Sequence, residues 1–262
     1  GLSRVGGLGV IAARIRSMGA PHWLTLFGLI LAAWVLLYFM TLPAGMGAGG
    51  HGRGGQFWIG HGAVTPDLAG YGRVVAMWAL MSAAMMAPTA LPAFATYDDL
   101  SHSGATARFW PLVAGYLAVW LGFSVIAGAA QMALIGADLV TGPGDSRSAL
   151  LSAGLLAVAG LYQVSPAKEA CLSKCRAPLT FFMQHFEEGP WRNGLRLGLV
   201  CLGCCWALML LAFVGGMANL AFMGLATLIM VLEKLPQIGR WLTRPLGATL
   251  IIAAIWVAAT GI

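Results

Sequence analysis

Long apolar runs alternate with short polar segments along most of the chain. Several runs reach the roughly 20 residues that an α-helix needs to cross the hydrocarbon core of a membrane. A transmembrane β-barrel would instead show short segments of alternating hydrophobicity. The pattern therefore predicts an all-α, polytopic membrane helix bundle with about seven transmembrane helices. The predicted helices cover residues 23–42, 73–95, 110–136, 148–164, 193–216, 217–235 and about 240 to the C-terminus.

The polar segments between these helices suggest one compact domain with distinct loops. Residues 1–22 carry three arginines among apolar residues and predict a basic interfacial segment. Residues 23–262 form the predicted transmembrane domain. Within it, residues 43–72 are a loop rich in glycine and histidine, and residues 165–192 are the most polar segment and contain two cysteines.

The composition supports a membrane protein and determines how its net positive charge is interpreted. Apolar residues make up 59% of the chain and charged residues only 9%, whereas soluble domains carry roughly 25% charged residues. A net charge of +6 would suggest nucleic acid in a soluble protein. Here it reflects lysine and arginine collected in cytoplasmic loops, so we expect the lipid bilayer, and no nucleic acid, as a partner.

The distribution of basic residues predicts the orientation. With a cytoplasmic N-terminus, the inner segments hold twelve basic residues and the outer segments three, in agreement with the excess of positive charge on the cytoplasmic side of membrane proteins. The inner set is Arg4, Arg14, Arg16, Arg108, Lys168, Lys174, Arg176, Arg192, Arg196, Lys234, Arg240 and Arg244, and the outer set is Arg53, Arg73 and Arg147. This orientation places loop 43–72 outside and segment 165–192 in the cytoplasm.

Two cysteines of the cytoplasmic segment form the first candidate metal site. Cys171 and Cys175 are four residues apart, so on a helix their thiols face the same way. Neighbouring lysine and arginine side chains favour thiolates, and thiolates select soft ions such as Cu(I). The alternative is a pair of ordinary reduced cysteines.

A second group of sulfurs lies inside the predicted membrane helices. Cys201, Cys205 and Met209 recur every four residues, with Cys204 beside them. In the second predicted helix the candidate ligands are Met81, Met85 and Met86. The helical rise places both groups on the order of 10–20 Å from a membrane surface, so their sulfurs converge if the two helices are neighbours. The alternative is that these sulfurs only fill the core.

Depth also separates the two cysteine groups. Cys171 and Cys175 are expected in the cytoplasm and the three cysteines of residues 201–205 near mid-membrane. A zinc site built from four cysteines therefore fits poorly. We expect two separate stations along one path.

A further candidate lies in the outer loop. Met46, His51 and His61 are all side chains that bind transition metals. The two histidines are ten residues apart, which is not a recognised ligand spacing. A loop without metal is the alternative.

Three blocks of the chain resemble a known family. The first block begins at Met77 and reads Met-Trp-x-x-Met-x-x-Ala-Met-Met-x-Pro-x-x-x-Pro. The second begins at Ala159 and reads Ala-Gly-Leu-Tyr-Gln-Val-Ser-Pro-x-Lys-x-x-Cys-Leu-x-x-Cys-Arg-x-Pro. The third begins at Gly198 and reads Gly-Leu-x-Cys-Leu-Gly-Cys-Cys-Trp-Ala-Leu-Met, and Glu233 and Lys234 follow it. Together they resemble the bacterial integral-membrane family called domain of unknown function 2182, described as predicted metal-binding. The resemblance implies a multi-pass protein of the bacterial inner membrane.

The same resemblance implies a copper-handling role together with a small soluble domain family of unknown function (1326). Carried over by position, it points to the same sulfurs, Met81, Met85, Met86, Cys171, Cys175, Cys201, Cys204 and Cys205. Leu197 is a departure, because some members carry a histidine there, so one nitrogen ligand is absent from this chain.

The leading hypothesis is a membrane-embedded protein that binds a soft metal, Cu(I) before zinc, for trafficking, delivery or transport through cysteine and methionine ligands. One alternative is a non-catalytic structural or assembly subunit of a larger membrane complex. Another is a thiol–disulfide carrier that uses Cys171 and Cys175. The sequence shows neither a nucleophile with its base nor a phosphate-binding loop, so we do not expect an enzyme.

Overall fold

The computed structural model describes residues 21–41, 64–102, 109–217 and 219–261. The all-α prediction is confirmed for these ranges, in which helices are joined by short turns. The helices are α1 (Pro21–Thr41), α2 (Leu68–His102), α3 (Phe109–Gly136), α4 (Ala149–Gln163), α5 (Pro166–Arg176), α6 (Pro178–His185), α7 (Pro190–Leu210), α8 (Ala212–Gly215), α9 (Leu220–Lys234) and α10 (Gly239–Thr260).

Five helical stretches are long and apolar enough to cross a membrane: α1, α2, α3, α7 with α8, and α10. A sixth results if α4 and α5, which meet at an angle of 61°, count as one broken span. These helices support a multi-pass membrane protein, with fewer full-length spans in the described part of the chain than the seven predicted. The difference arises at α4 and α9, whose 15 residues each reach about 22 Å, against a hydrocarbon core of about 30 Å.

Helix α2 is longer than predicted and continues through Pro88 and Pro92. A proline cannot donate to the carbonyl four residues before it, so Pro88 leaves the Ala84 carbonyl without its usual donor. Trp34 of α1 donates its indole Nε1 to that carbonyl at 3.0 Å. The predicted end of this helix at residue 95 is therefore wrong, because α2 continues to His102.

Helices α3 and α7 cross at the centre of the bundle through glycines. A side-chain carbon at Gly194 would collide with the Leu112 carbonyl on α3, and one at Gly198 would collide with the Val119 side chain. One at Gly115 would collide with the backbone of α7. The backbones of the two helices therefore touch. Gly194 and Gly198 form a G-x-x-x-G, a spacing of small residues that permits such close contact between membrane helices.

Helix α9 connects the two ends of the bundle. Near its start, Met217 lies against Gly144 in the turn between α3 and α4. At its other end, the Glu233 carbonyl lies against Gly239, next to Arg176 of α5. The side chain that ends α9, Lys234, is therefore held beside the α5 helix.

Helix α5 turns back towards the bundle and packs on α7. Pro166 begins this helix, and the Ser165 hydroxyl caps it by accepting from the Lys168 backbone N–H at 3.2 Å. Together with the bend after α4, this start directs α5 across the face of α7. Cys171 and Cys175 are carried with it.

Candidate metal centre

Three buried cysteines on α7 form a compact sulfur cluster. Cys201, Cys204 and Cys205 lie three and four residues apart, so they share one face of the helix. Their sulfurs all lie within 4.8 Å of one another, and each residue is at most 2% exposed. The sulfurs of Cys204 and Cys205 are 3.3 Å apart, and both cysteines are free, as is Cys201. We call these three residues the sulfur cluster.

A fourth cysteine reaches the sulfur cluster from α5. The Cys175 sulfur lies 3.9 Å from the Cys204 sulfur, and Cys175 is half-buried. The predicted separation of Cys175 from the cysteines of α7 is therefore wrong, whereas the expectation that four cysteines do not form one zinc site stays a prediction. The depth argument assumed straight helices. It did not include the 61° bend between α4 and α5, which brings α5 back to α7.

Cys171 lies one helical turn away from Cys175 but occupies a different place. Its sulfur packs on the backbone of Gly203, where a side-chain carbon would overlap it. The Tyr162 hydroxyl donates to the Gly203 carbonyl at the same place. Neither Cys171 nor Cys175 belongs to the group of three whose ligand atoms all lie within 4.8 Å.

A buried lysine contacts the sulfur cluster and was not predicted to do so. The Lys234 ammonium donates to the Cys201 sulfur at 2.9 Å and to the Thr89 hydroxyl at 2.6 Å. A charged group inside a membrane protein is costly unless it has a partner. The ammonium therefore favours negative charge on the Cys201 sulfur, which is the form that binds metal. The signal available in sequence was a lysine at the end of an otherwise apolar run.

Tyr116 of α3 links the sulfur cluster to α2. Its hydroxyl lies 3.1 Å from the Cys201 sulfur and donates to the Met86 carbonyl at 2.9 Å. Thr89 of α2 lies 3.9 Å from the same sulfur through its hydroxyl oxygen. In these described contacts, α2 reaches the sulfur cluster through the Thr89 hydroxyl oxygen and, by way of Tyr116, through the Met86 carbonyl oxygen.

The predicted methionine ligands are all buried in the core, at Met81, Met85, Met86 and Met209. The main packing partner of α7 is α3, not α2 as the predicted convergence of sulfurs requires. The thioether ligands remain a prediction. The outer-loop candidates Met46, His51 and His61 lie outside the described residues.

A cavity of about 440 Å³ adjoins the sulfur cluster. Cys175, Cys201 and Lys234 line it, together with Arg176 and Leu197. Its wall continues to Pro92 and Pro236, which are exposed. The cavity therefore connects the sulfur cluster with the surface of the bundle.

A buried ionic network lies beside the sulfur cluster. The Lys168 ammonium donates to the Glu233 carboxylate at 2.8 Å and to the Gln163 amide oxygen at 2.5 Å. Gln163 in turn donates to Glu233 through its amide nitrogen. Because Glu233 directly precedes Lys234, this network fixes the end of α9 against α4 and α5.

One family with a described role matches this chain. The sequence model of a family described as PpoB2, a copper chaperone, matches residues 75–257, well over half of the 262 residues. The matched part includes the sulfur cluster, Cys175 and Lys234. No curated protein and no solved structure matches the chain.

Proposed function

The chain belongs to the PpoB2 copper chaperone family, and from this premise we propose that it is a non-catalytic membrane protein that binds Cu(I) at the sulfur cluster and passes it on. The observation that carries the proposal is the buried group of Cys201, Cys204 and Cys205, with all sulfurs within 4.8 Å. Thiolates are soft ligands that select Cu(I).

The spacing of the sulfurs suits a single ion. With metal–thiolate bonds of about 2.3 Å, two sulfurs on one ion are about 4.6 Å apart when opposite each other and about 4.0 Å apart in a three-coordinate site. The Cys204 and Cys205 sulfurs are 3.3 Å apart, so they need to move only slightly further apart to bind one ion. Zinc usually takes four protein ligands in a closed site. Since Cys175 is outside the group of three sulfurs that lie within 4.8 Å of one another, this group favours Cu(I).

Charge supports the same assignment. One Cu(I) ion bound by two thiolates and one neutral thiol of the sulfur cluster carries a net charge of −1, which is costly in an apolar bundle without a counter-charge. The Lys234 ammonium, 2.9 Å from the Cys201 sulfur, supplies that counter-charge. The bound site is then neutral as a whole.

We place the protein in the bacterial inner membrane, where a soluble carrier supplies or receives the ion on the cytoplasmic side. The motifs that resemble the domain of unknown function 2182 begin at Met77 and lie within the matched residues 75–257. We therefore propose that the two family descriptions refer to overlapping groups of proteins.

Metal analysis of the purified full-length protein under reducing, anaerobic conditions tests this function. We expect bound copper in the unmutated protein. We expect each of Cys201→Ser, Cys204→Ser and Cys205→Ser to lower Cu(I) affinity by at least the roughly 10–100-fold typical of changes around a metal ligand. Cys171→Ser is the matched control, because its sulfur lies on Gly203. Absence of copper, or retention of zinc in its place, would contradict the proposal.

A further inference from the structure

Cys175 combines partial exposure with a position on the cavity wall next to the sulfur cluster. It is half-buried rather than buried, and it lies on the cavity wall while its sulfur is 3.9 Å from that of Cys204. We propose that Cys175 is the exchange ligand, which takes Cu(I) from a thiolate complex in the cavity and transfers it to Cys204. The inference rests on the proposed function, in which the sulfur cluster holds Cu(I).

The distance between the two sulfurs permits direct transfer. Sulfurs that share one three-coordinate ion are about 4.0 Å apart, and the Cys175 and Cys204 sulfurs are 3.9 Å apart. One ion can therefore bond to both sulfurs at once without movement of α5 or α7. Transfer through a shared intermediate avoids a free ion inside the bundle.

The cavity fits a negatively charged cargo complex. Both Lys234 and Arg176 line it, and the Arg176 side chain is 6% exposed. Its Nε donates to the Glu233 carbonyl and its Nη1 to the Glu169 carboxylate. Its buried Nη2 has no hydrogen-bond partner among the described residues. A Cu(I) ion held by two thiolates is an anion, and these cations complement its charge.

The exchange leaves the oxidation state of copper unchanged. In the first step a bond between copper and a carrier sulfur breaks as a bond to the Cys175 sulfur forms, and the Cys175 thiol proton passes to the departing carrier thiolate. In the second step the bond moves to Cys204, whose thiol now donates to the Cys201 carbonyl at 3.1 Å. The Cys204 proton returns to Cys175, which restores the entry site. In a last step the Cys201 thiolate bonds to copper as the bond to the second carrier sulfur breaks, and that sulfur leaves as a thiolate.

The rate of copper loading, measured apart from the amount bound, tests this role. The full-length protein in nanodiscs is mixed with either Cu(I)–glutathione or Cu(I) on a short peptide with two cysteines. Both donors hold copper through thiolates. The first represents a small-molecule source of copper and the second a protein source. We expect Cys175→Ser and Cys175→Ala to load from a thiolate donor slower by about tenfold or more, a barrier of about 1.4 kcal/mol. Both should bind the unmutated amount of copper at equilibrium.

Cys171→Ser is the matched control, since Cys171 lies on the same helix and is also half-buried but does not line this cavity. It should load at the unmutated rate. Unmutated rates in both Cys175 variants would overturn the exchange role while the proposed function stands. Loss of bound copper at equilibrium in those variants would also overturn it, because Cys175 would then be a permanent ligand. A lack of copper in the unmutated protein would overturn both proposals.

Discussion

At the scale of single residues, the sulfur cluster was accessible from sequence and its counter-charge was not. The spacing of Cys201, Cys204 and Cys205 places them on one helical face wherever that helix packs. Lys234, by contrast, ends a predicted helix, and lysines at helix ends usually extend to the membrane surface. Here the end of α9 is covered by α5, so the ammonium points to Cys201 instead of water.

The first prediction concerns this lysine. Lys234→Met keeps the length of the side chain and removes its charge, so the bound copper site loses its counter-charge. We expect Cu(I) affinity to fall by about 10–100-fold, measured by competition with a chromophoric Cu(I) chelator. Lys174→Met is the control, because Lys174 is exposed on α5. Equal affinities in the two variants would contradict the role of Lys234.

At the scale of helices, apolar runs predicted the main elements well but not the path of α5. The cores of α1, α3 and α7 match the predicted ranges closely, because the length and hydropathy of a run are local properties. The direction of the chain after Gln163 depends on a bend of 61° and on where α5 finds an apolar surface. The i, i+4 spacing of Cys171 and Cys175 predicts neither the bend nor the surface on which α5 packs.

The second prediction concerns the crossing of α3 and α7. Gly194→Ala places a methyl group against the Leu112 carbonyl, so the helices must separate. We expect a loss of stability of about 1–3 kcal/mol, measured by unfolding in mixed micelles. Gly154→Ala on α4 is the control, since nothing lies within 4 Å of the added carbon, and it should be neutral or stabilising. Equal stability of the two variants would argue against the close crossing.

The third prediction concerns the buried ion pair between α5 and α9. Lys168 and Glu233 have side chains that are each 1% exposed, so Lys168→Met leaves an uncompensated carboxylate. We expect a loss of about 3–5 kcal/mol in the same unfolding assay. The double variant with Glu233→Met should recover part of it. The pair of Arg196 and Glu188, which is far more exposed, provides the comparison, because Arg196→Met should cost about 0–1 kcal/mol.

At the scale of the whole molecule, the two ends of the bundle differ in chemistry. The turn between α3 and α4 lies near the start of α9, while the sulfur cavity, α5 and the end of α9 lie near the opposite end. The distribution of basic residues predicts that this second end faces the cytoplasm. With this predicted orientation the cavity would open to a reducing compartment, in which thiolates would carry the Cu(I) of the proposed function.

The fourth prediction tests that orientation. In a background with serine at positions 171 and 175, Lys174→Cys and Asp145→Cys each introduce one exposed thiol. We expect a membrane-impermeant maleimide to label position 145 in intact spheroplasts and position 174 only after the membrane is opened. The reverse pattern of labelling would show the opposite orientation.

The short α9 helix has a consequence for the surrounding lipid. Leu225 and Leu228 are exposed on it, so acyl chains meet a surface only about 22 Å tall beside neighbours that are taller. Lipids next to α9 must compress or tilt to cover it, at a cost of fractions of a kcal/mol per ångström of mismatch. Because Lys234 ends this helix, bilayer thickness acts on the same element that holds the counter-charge of the metal site. We therefore expect the protein to favour thin membranes, and its affinity for copper, measured in nanodiscs of different acyl-chain length, to vary with the lipid as well as with the chain.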